Sequence, residues 1–263
     1  MTVRAGSLPI ILTAPHGGRQ PIANALPRRG IGVSQFTTGR DNNTDELAEL
    51  IAEKLRQMTG AAPFLIVARF ERKYVDANRP AERAYESEQA KGYYEAYHRA
   101  LADACRRVRE NWGRGLLLDI HGQGSDKETI FRGTGNGKSI AALIKNFGRE
   151  AVSGEKSIFK YLEDKNYKVA PETRGAGIEQ RYTGGYTTRT YGSDRGTAID
   201  AIQLEFGSVF RARANLERTA ADLAEAIATF AEAYLPRTRI SATEQLIWQS
   251  ASGLTTAPAP PDP

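Results

Sequence analysis

Leu116-Leu117-Leu118-Asp119-Ile120-His121-Gly122 reads as a short, almost wholly apolar strand that stops in a histidine and a glycine. Runs of this kind belong to strands covered on both faces in a sheet core. Ile10-Ile11-Leu12-Thr13-Ala14-Pro15-His16-Gly17-Gly18 repeats the shape. Two of the chain's three histidines therefore end apolar strands with glycine behind them. Open α/β sheets place their chemistry at the carboxyl ends of their strands.

Working outward, Asn43-Thr44-Asp45-Glu46 has the form of a capping box, with Asn43 as N-cap. Leu47, Leu50, Ile51, Leu55 and Met58 then follow helical spacing, and Gly60 ends the helix. Strands are expected at 8–14, 64–69, 115–120, 129–131 and 199–206, and helices at 88–110, 139–147 and 215–234. The stretch 17–42, rich in Gly, Pro, Arg and Asn, reads as a long loop, and loops of this length in compact domains tend to carry function. Residues 152–182 are polar and ambiguous, with one element expected around Ile158–Leu162; Gly184-Gly185-Tyr186 signals a turn. Alternating strands and helices imply an α/β fold on a mostly parallel or mixed sheet. Residues 1–250 are expected to form a single catalytic domain, and 251–263 a flexible Pro-rich tail.

The 263 residues suffice for a sizeable core. No apolar run is long enough to span a bilayer, and Met1-Thr2-Val3-Arg4-Ala5-Gly6 leads into a strand without a secretory pattern. The single cysteine, Cys105, sits in a helical pattern and reads as a buried thiol, so the expected location is the cytoplasm. The net charge of +5 comes from scattered arginines, without a Lys/Arg block interleaved with aromatics. The expected partner is a small acidic molecule, with neither nucleic acid nor membrane.

Three constellations carry chemistry. A catalytic zinc takes three N/O ligands and keeps one position open for water. His16 and His121 can converge if their strands are neighbours, and the third ligand must be acidic; Asp45, in the first turn of the capped helix, is the choice, with Asp41 and Glu46 as rivals. Glu205 follows Ile202 and Leu204 at a strand's end, where a buried carboxylate is costly unless paired or functional. Beside a metal-activated water it would serve as general base. Arg72, Asp76, Asn78 and Arg79 form a cluster able to hold an acidic substrate or polarise its carbonyl. Strand alternation puts Asp119 on the face of His121, where it could orient that ligand. Gly133-Thr134-Gly135-Asn136-Gly137-Lys138-Ser139 misses the phosphate-loop spacing, because Arg132 stands where the first glycine should be. It could still offer backbone N–H groups to an anion.

Together these stretches resemble the N-formylglutamate amidohydrolase family, relatives of the zinc carboxypeptidases and aspartoacylases. The resemblance rests on Pro15-His16-Gly17-Gly18, Asn43-Thr44-Asp45-Glu46, Val75-Asp76-Ala77-Asn78-Arg79-Pro80, Leu118-Asp119-Ile120-His121-Gly122, Gly184-Gly185-Tyr186 with Tyr191-Gly192, and Gln203-Leu204-Glu205, in the family's order. It implies a three-layer α/β/α fold with a mixed central sheet, zinc-exopeptidase-like, and zinc (Zn2+) held by His16, Asp45 and His121. It further implies Glu205 as the base, Arg72 polarising the scissile carbonyl, and Asn78 and Arg79 gripping a substrate carboxylate, with Arg189 also on the substrate side. The activity implied is hydrolysis of a linear amide in a small N-acyl amino acid or short peptide. Two departures stand out: His16-Gly17-Gly18-Arg19 lacks the carboxypeptidase His-x-x-Glu, and the loop after His121 is Gly-Gln-Gly. A peptidoglycan-directed amidase or carboxypeptidase on the same scaffold is the rival enzyme, and a non-catalytic anion or nucleotide binder the rival of another class.

Overall fold

The computed structural model describes residues 1–175 and 177–237, so the expected tail at 251–263 lies outside the described residues. The first half contains β1 (Thr2–Arg4), β2 (Ile10–Ala14), α1 (Thr44–Thr59), β3 (Phe64–Val67), α2 (Ala81–Ala84), α3 (Glu88–Trp112) and β4 (Gly115–Gly122). The second contains β5 (Thr129–Gly133), α4 (Ala141–Phe147), α5 (Glu150–Ser153), α6 (Ile158–Asp164), β6 (Lys168–Ala170), α7 (Tyr186–Tyr191), β7 (Ile199–Phe206) and α8 (Arg213–Tyr234). The strands form one seven-stranded sheet in the order β1-β3-β2-β4-β7-β5-β6. The centre, β3-β2-β4-β7, is parallel, while β1 and β5 run antiparallel to their inner neighbours, so the sheet is mixed as expected.

Strand alternation separates two cores. Ile10, Leu12, Leu116, Leu118, Ile202 and Leu204 face α1 and α8; Ile11, Leu117 and Ala201 face α3. Helices thus cover both faces, which gives the α/β/α layering. The α3 face changes character along the strands: beyond Ile11, Leu117 and Ala201 it presents Thr13, Asp119 and Gln203 in register, then His121 opposite Glu205. This polar end of an otherwise apolar face positions the site. No helix among the described residues is long and apolar enough to cross a membrane.

The capping box is not what starts α1. Asn43 occupies the N-cap position at φ 64°, and its side chain makes no cap hydrogen bond. Its Nδ2 donates instead to the Arg211 carbonyl at 2.8 Å, and Glu46 accepts from Arg213 Nη1. The ambiguous 152–182 stretch contains α6 and β6, short elements whose signals are too brief to separate by periodicity. Glu179, near its end, explains the glycine-rich loop. The buried carboxylate accepts from the N–H groups of Thr134 (2.8 Å) and Asn136 (2.9 Å), from Thr134 Oγ1 (2.5 Å) and from Arg132 Nε (3.1 Å). The loop does bind an anion, and that anion belongs to the chain itself.

Candidate metal centre

Loop 17–42 leaves the sheet after His16 and returns to it at Asp41, where the Asp41 N–H donates to the His16 carbonyl at 3.1 Å. Parallel pairing of β2 with β4 brings His121 to the same sheet edge. The result is a buried group of three: His16, Asp41 and His121. His16 Nδ1 lies 3.1 Å from His121 Nδ1, and Asp41 Oδ2 lies 3.4 Å from each of those nitrogens.

The outer faces of the imidazoles decide what these atoms are. His16 Nε2 donates to Asp76 Oδ1 at 2.7 Å, and His121 Nε2 donates to Asp119 Oδ2 at 2.8 Å. A carboxylate only accepts, so each Nε2 carries the proton and, in a neutral ring, each Nδ1 presents a lone pair. With both rings neutral, two lone pairs and a carboxylate oxygen converge, an arrangement that a cation would complete. Tetrahedral zinc with bonds of 2.0–2.1 Å separates its ligand atoms by about 3.3 Å, matching the observed 3.1–3.4 Å. The donor set fits a divalent metal with a fourth position to spare.

Without a metal, the same acidic surroundings hold a proton on His121 instead. Burial opposes a charged His121, but Asp119, Asp41 and Glu205 outweigh it and hold its pKa well above the ordinary histidine value. Burial also opposes ionisation of Asp41 and Asp76. The histidines and Arg72, joined at Asp76 by Arg28, nevertheless keep both carboxyls well below the usual range. The site therefore favours positive charge at the point where the three acceptors meet.

The acidic member of the cluster is Asp41, which corrects the expectation of Asp45. Asp45, in the first turn of α1, gives Oδ2 to Arg69 Nη1 at 3.2 Å and is not part of the group formed by His16, Asp41 and His121. Asp41 is held facing them by Gly122 N–H on Oδ2 (3.0 Å) and Arg72 Nη1 on Oδ1 (3.3 Å). Glu46, the other rival, is on the surface with Arg213.

Glu205 stands beside His121 in register on β7 and is buried. Burial, reinforced by Asp41, raises its pKa above the ordinary glutamate value against the opposing pull of His121, His16 and Arg72. Its Oε1 accepts from Gln203 Nε2 at 2.8 Å, and Gln203 Oε1 accepts from Asn78 Nδ2 at 3.2 Å. Arg72 bridges Asp41 and Asp76, reaching Asp76 Oδ2 with Nε at 3.1 Å. Arg79 donates to the Gln35 carbonyl at 2.8 Å and the Ser34 carbonyl at 3.4 Å, tying loop 17–42 down. Arg189, exposed on α7, donates to the Gly184 carbonyl at 3.1 Å.

The third histidine plays a different part. His98 Nε2 donates to the Ala77 carbonyl at 3.0 Å, and its Nδ1 accepts from Tyr191 Oη at 3.1 Å. One turn away, Tyr94 Oη donates to the Arg79 carbonyl at 3.0 Å, so α3 grips the backbone on both sides of Asn78. Cys105 is buried, and burial pushes its thiol up to about 12. A groove of about 640 Å³ opens at the opposite, amino end of β2 and β4, among Leu8, Pro9, Trp112 and Leu235. It contains no histidine, and the centre is identified by convergent donors rather than by volume.

Sequence reasoning missed Asp76 as the partner of His16, and Gln203. Asp76 is far from His16 in sequence and lies on an irregular segment, so alternation gives no hint of it. Gln203 was legible in principle, two residues before Glu205 on the same face.

A family model described as N-formylglutamate amidohydrolase matches residues 81–209. That span includes His121 and Glu205. The fold is similar to the crystal structure of N-formylglutamate amidohydrolase from Ralstonia eutropha JMP134, at 16% identity and a TM-score of 0.61, covering 88% of this chain and 95% of that one. It is also similar to a gene product of Agrobacterium tumefaciens, at 15% identity and a TM-score of 0.55, covering 88% and 94%. No match is found among curated proteins. The family match bears out the resemblance read from the sequence and supports a hydrolase acting on amide bonds.

Proposed function

From its resemblance to the N-formylglutamate amidohydrolase family, we propose that this chain is a zinc-dependent amidohydrolase, on a zinc-exopeptidase-like scaffold, that cleaves a linear amide in a small N-acyl amino acid or short peptide. The observation that carries the proposal is the convergence of His16 Nδ1, His121 Nδ1 and Asp41 Oδ2 within 3.1–3.4 Å of one another. These three atoms would hold the metal. When bound, zinc supplies Lewis acidity, lowering the pKa of water and polarising a carbonyl.

The chain's own residues do the rest. Glu205, with its raised pKa, takes the proton of the attacking water and returns it to the amide nitrogen as the C–N bond breaks. Water thus adds across the bond to give an acid and an amine. Gln203 fixes the rotation of the Glu205 carboxylate. Arg72 has five N–H donors, and its contacts to Asp41 and Asp76 leave capacity for a substrate oxygen. Asn78, Arg79 and Arg189 are the candidates for orienting an acidic substrate. The buried thiol of Cys105 suits a cytoplasmic setting.

A panel of N-formyl, N-acetyl and peptidyl amino acids, assayed with zinc, tests the reading. Glu205→Gln should keep the metal and lose turnover by about 10²–10⁴-fold; full turnover in that variant removes Glu205 from its role.

A further inference from the structure

Arg211 follows β7, which ends at Phe206, and precedes α8, outside the motifs that supply the site. Its side chain is buried, and each nitrogen of the guanidinium donates to a backbone carbonyl. Nη1 reaches the Asn42 carbonyl at 2.6 Å, Nε the Phe206 carbonyl at 2.9 Å and Nη2 the Gln123 carbonyl at 3.2 Å. Those carbonyls lie one residue after Asp41, one after Glu205 and two after His121. Three chain segments that meet nowhere in sequence are thus tied to one rigid, planar group.

Two further contacts fit this arrangement. Asn43 Nδ2 donates to the Arg211 carbonyl at 2.8 Å, so the segment carrying Asp41 is joined to Arg211 from both sides. Gly122 lies against the guanidinium: a Cβ there would run into its carbon and two of its nitrogens. The glycine behind His121 is therefore required by the close approach of Arg211. Among the described residues no carboxylate accepts from Arg211 within hydrogen-bonding distance, and its charge acts across space on Asp41 and Glu205.

We propose that Arg211 is a positioning residue that sets the relative placement of Asp41, His121 and Glu205, and thereby the geometry offered to the metal. The inference rests on the metal reading above and adds to it a residue that touches neither metal nor substrate. A lysine in its place keeps the charge but cannot direct three coplanar bonds.

Zinc affinity, measured by competition with a chelating dye, tests this in wild type, Arg211→Lys and Arg132→Lys. The last removes another buried guanidinium, the one bound to Glu179. The expected result is zinc binding weakened about 10–100-fold in Arg211→Lys, with Arg132→Lys close to wild type even if both melt at lower temperature. Unchanged affinity in Arg211→Lys, or equal losses in both variants, overturns the inference. A wild type that binds no zinc overturns the metal reading and the inference together. If Arg211→Lys does not fold, Asn43→Gly takes its place, since glycine accepts the φ of 64° there and the change cuts only one side-chain tie to Arg211 and one to Arg19. A several-fold weaker affinity at unchanged circular dichroism supports the tether, and an unchanged affinity rejects it.

Discussion

His16 Nδ1 and His121 Nδ1 lie 3.1 Å apart although 105 residues separate them in sequence. Each ring is turned to make that approach by a buried carboxylate on its far nitrogen, Asp76 for His16 and Asp119 for His121. Asp119 is itself fixed by Thr13 Oγ1 at 2.5 Å. Replacing either carboxylate by its amide, in Asp76→Asn or Asp119→Asn, should leave the ligands present but loosen their tautomer and orientation. Zinc affinity is expected to fall about 10–100-fold. Titration against a competing chelator reads it directly; wild-type affinity in both variants would show that the carboxylates do not orient the rings.

The Glu179 latch makes a separate prediction about stability. Its carboxylate is fully buried and accepts from two backbone N–H groups, a hydroxyl and Arg132. Glu179→Ala strands Arg132 and the loop donors in a dry environment. Removing one partner of a buried pair costs about 3–5 kcal/mol, so the urea midpoint should fall accordingly while zinc affinity stays near wild type. A change below about 0.5 kcal/mol, the range of ordinary surface substitutions, would mean that the latch is open in solution.

His98 should make folding pH-dependent. Burial lowers its pKa from 6.5 to about 4, against the pull of the Ala77 carbonyl and Asp119. A histidine depressed in the folded state binds protons more readily when unfolded, so its contribution is present above pH 6.5 and is lost as pH falls toward 4. The full span corresponds to about 3 kcal/mol. Urea titrations at pH 7 and pH 4.5 should show a steeper loss in wild type than in His98→Gln. Parallel losses in the two proteins would place the acid sensitivity elsewhere.

Much of this was legible in the sequence, for reasons visible in particular residues. The strand from Gly115 to Gly122 and its partner from Ile199 to Phe206 are largely apolar, with Asp119, His121, Gln203 and Glu205 on one parity and Asp200 the exception, so periodicity finds the strands and the site face, while the strand register sets His121 beside Glu205. Asp41 was harder. It lies in a long loop without periodicity, and tertiary contacts place it: its N–H on the His16 carbonyl, and Gly122 N–H and Arg72 on its carboxylate. The apparent capping box drew attention to Asp45 one turn later, because its pattern is local and Asp41's position depends on tertiary contacts. Asp76 and Arg211 share that difficulty. Both act by reaching across to segments distant in sequence, and no spacing rule encodes such a reach.

His16, Asp41 and His121 are proposed to hold the metal. Zinc content and affinity of purified wild type, Asp41→Asn and Asp45→Asn test this most directly. About one zinc per chain is expected in wild type and in Asp45→Asn, and near-complete loss from Asp41→Asn with the fold retained. Zinc lost from Asp45→Asn but kept by Asp41→Asn, or a wild type that binds no divalent metal, would contradict it.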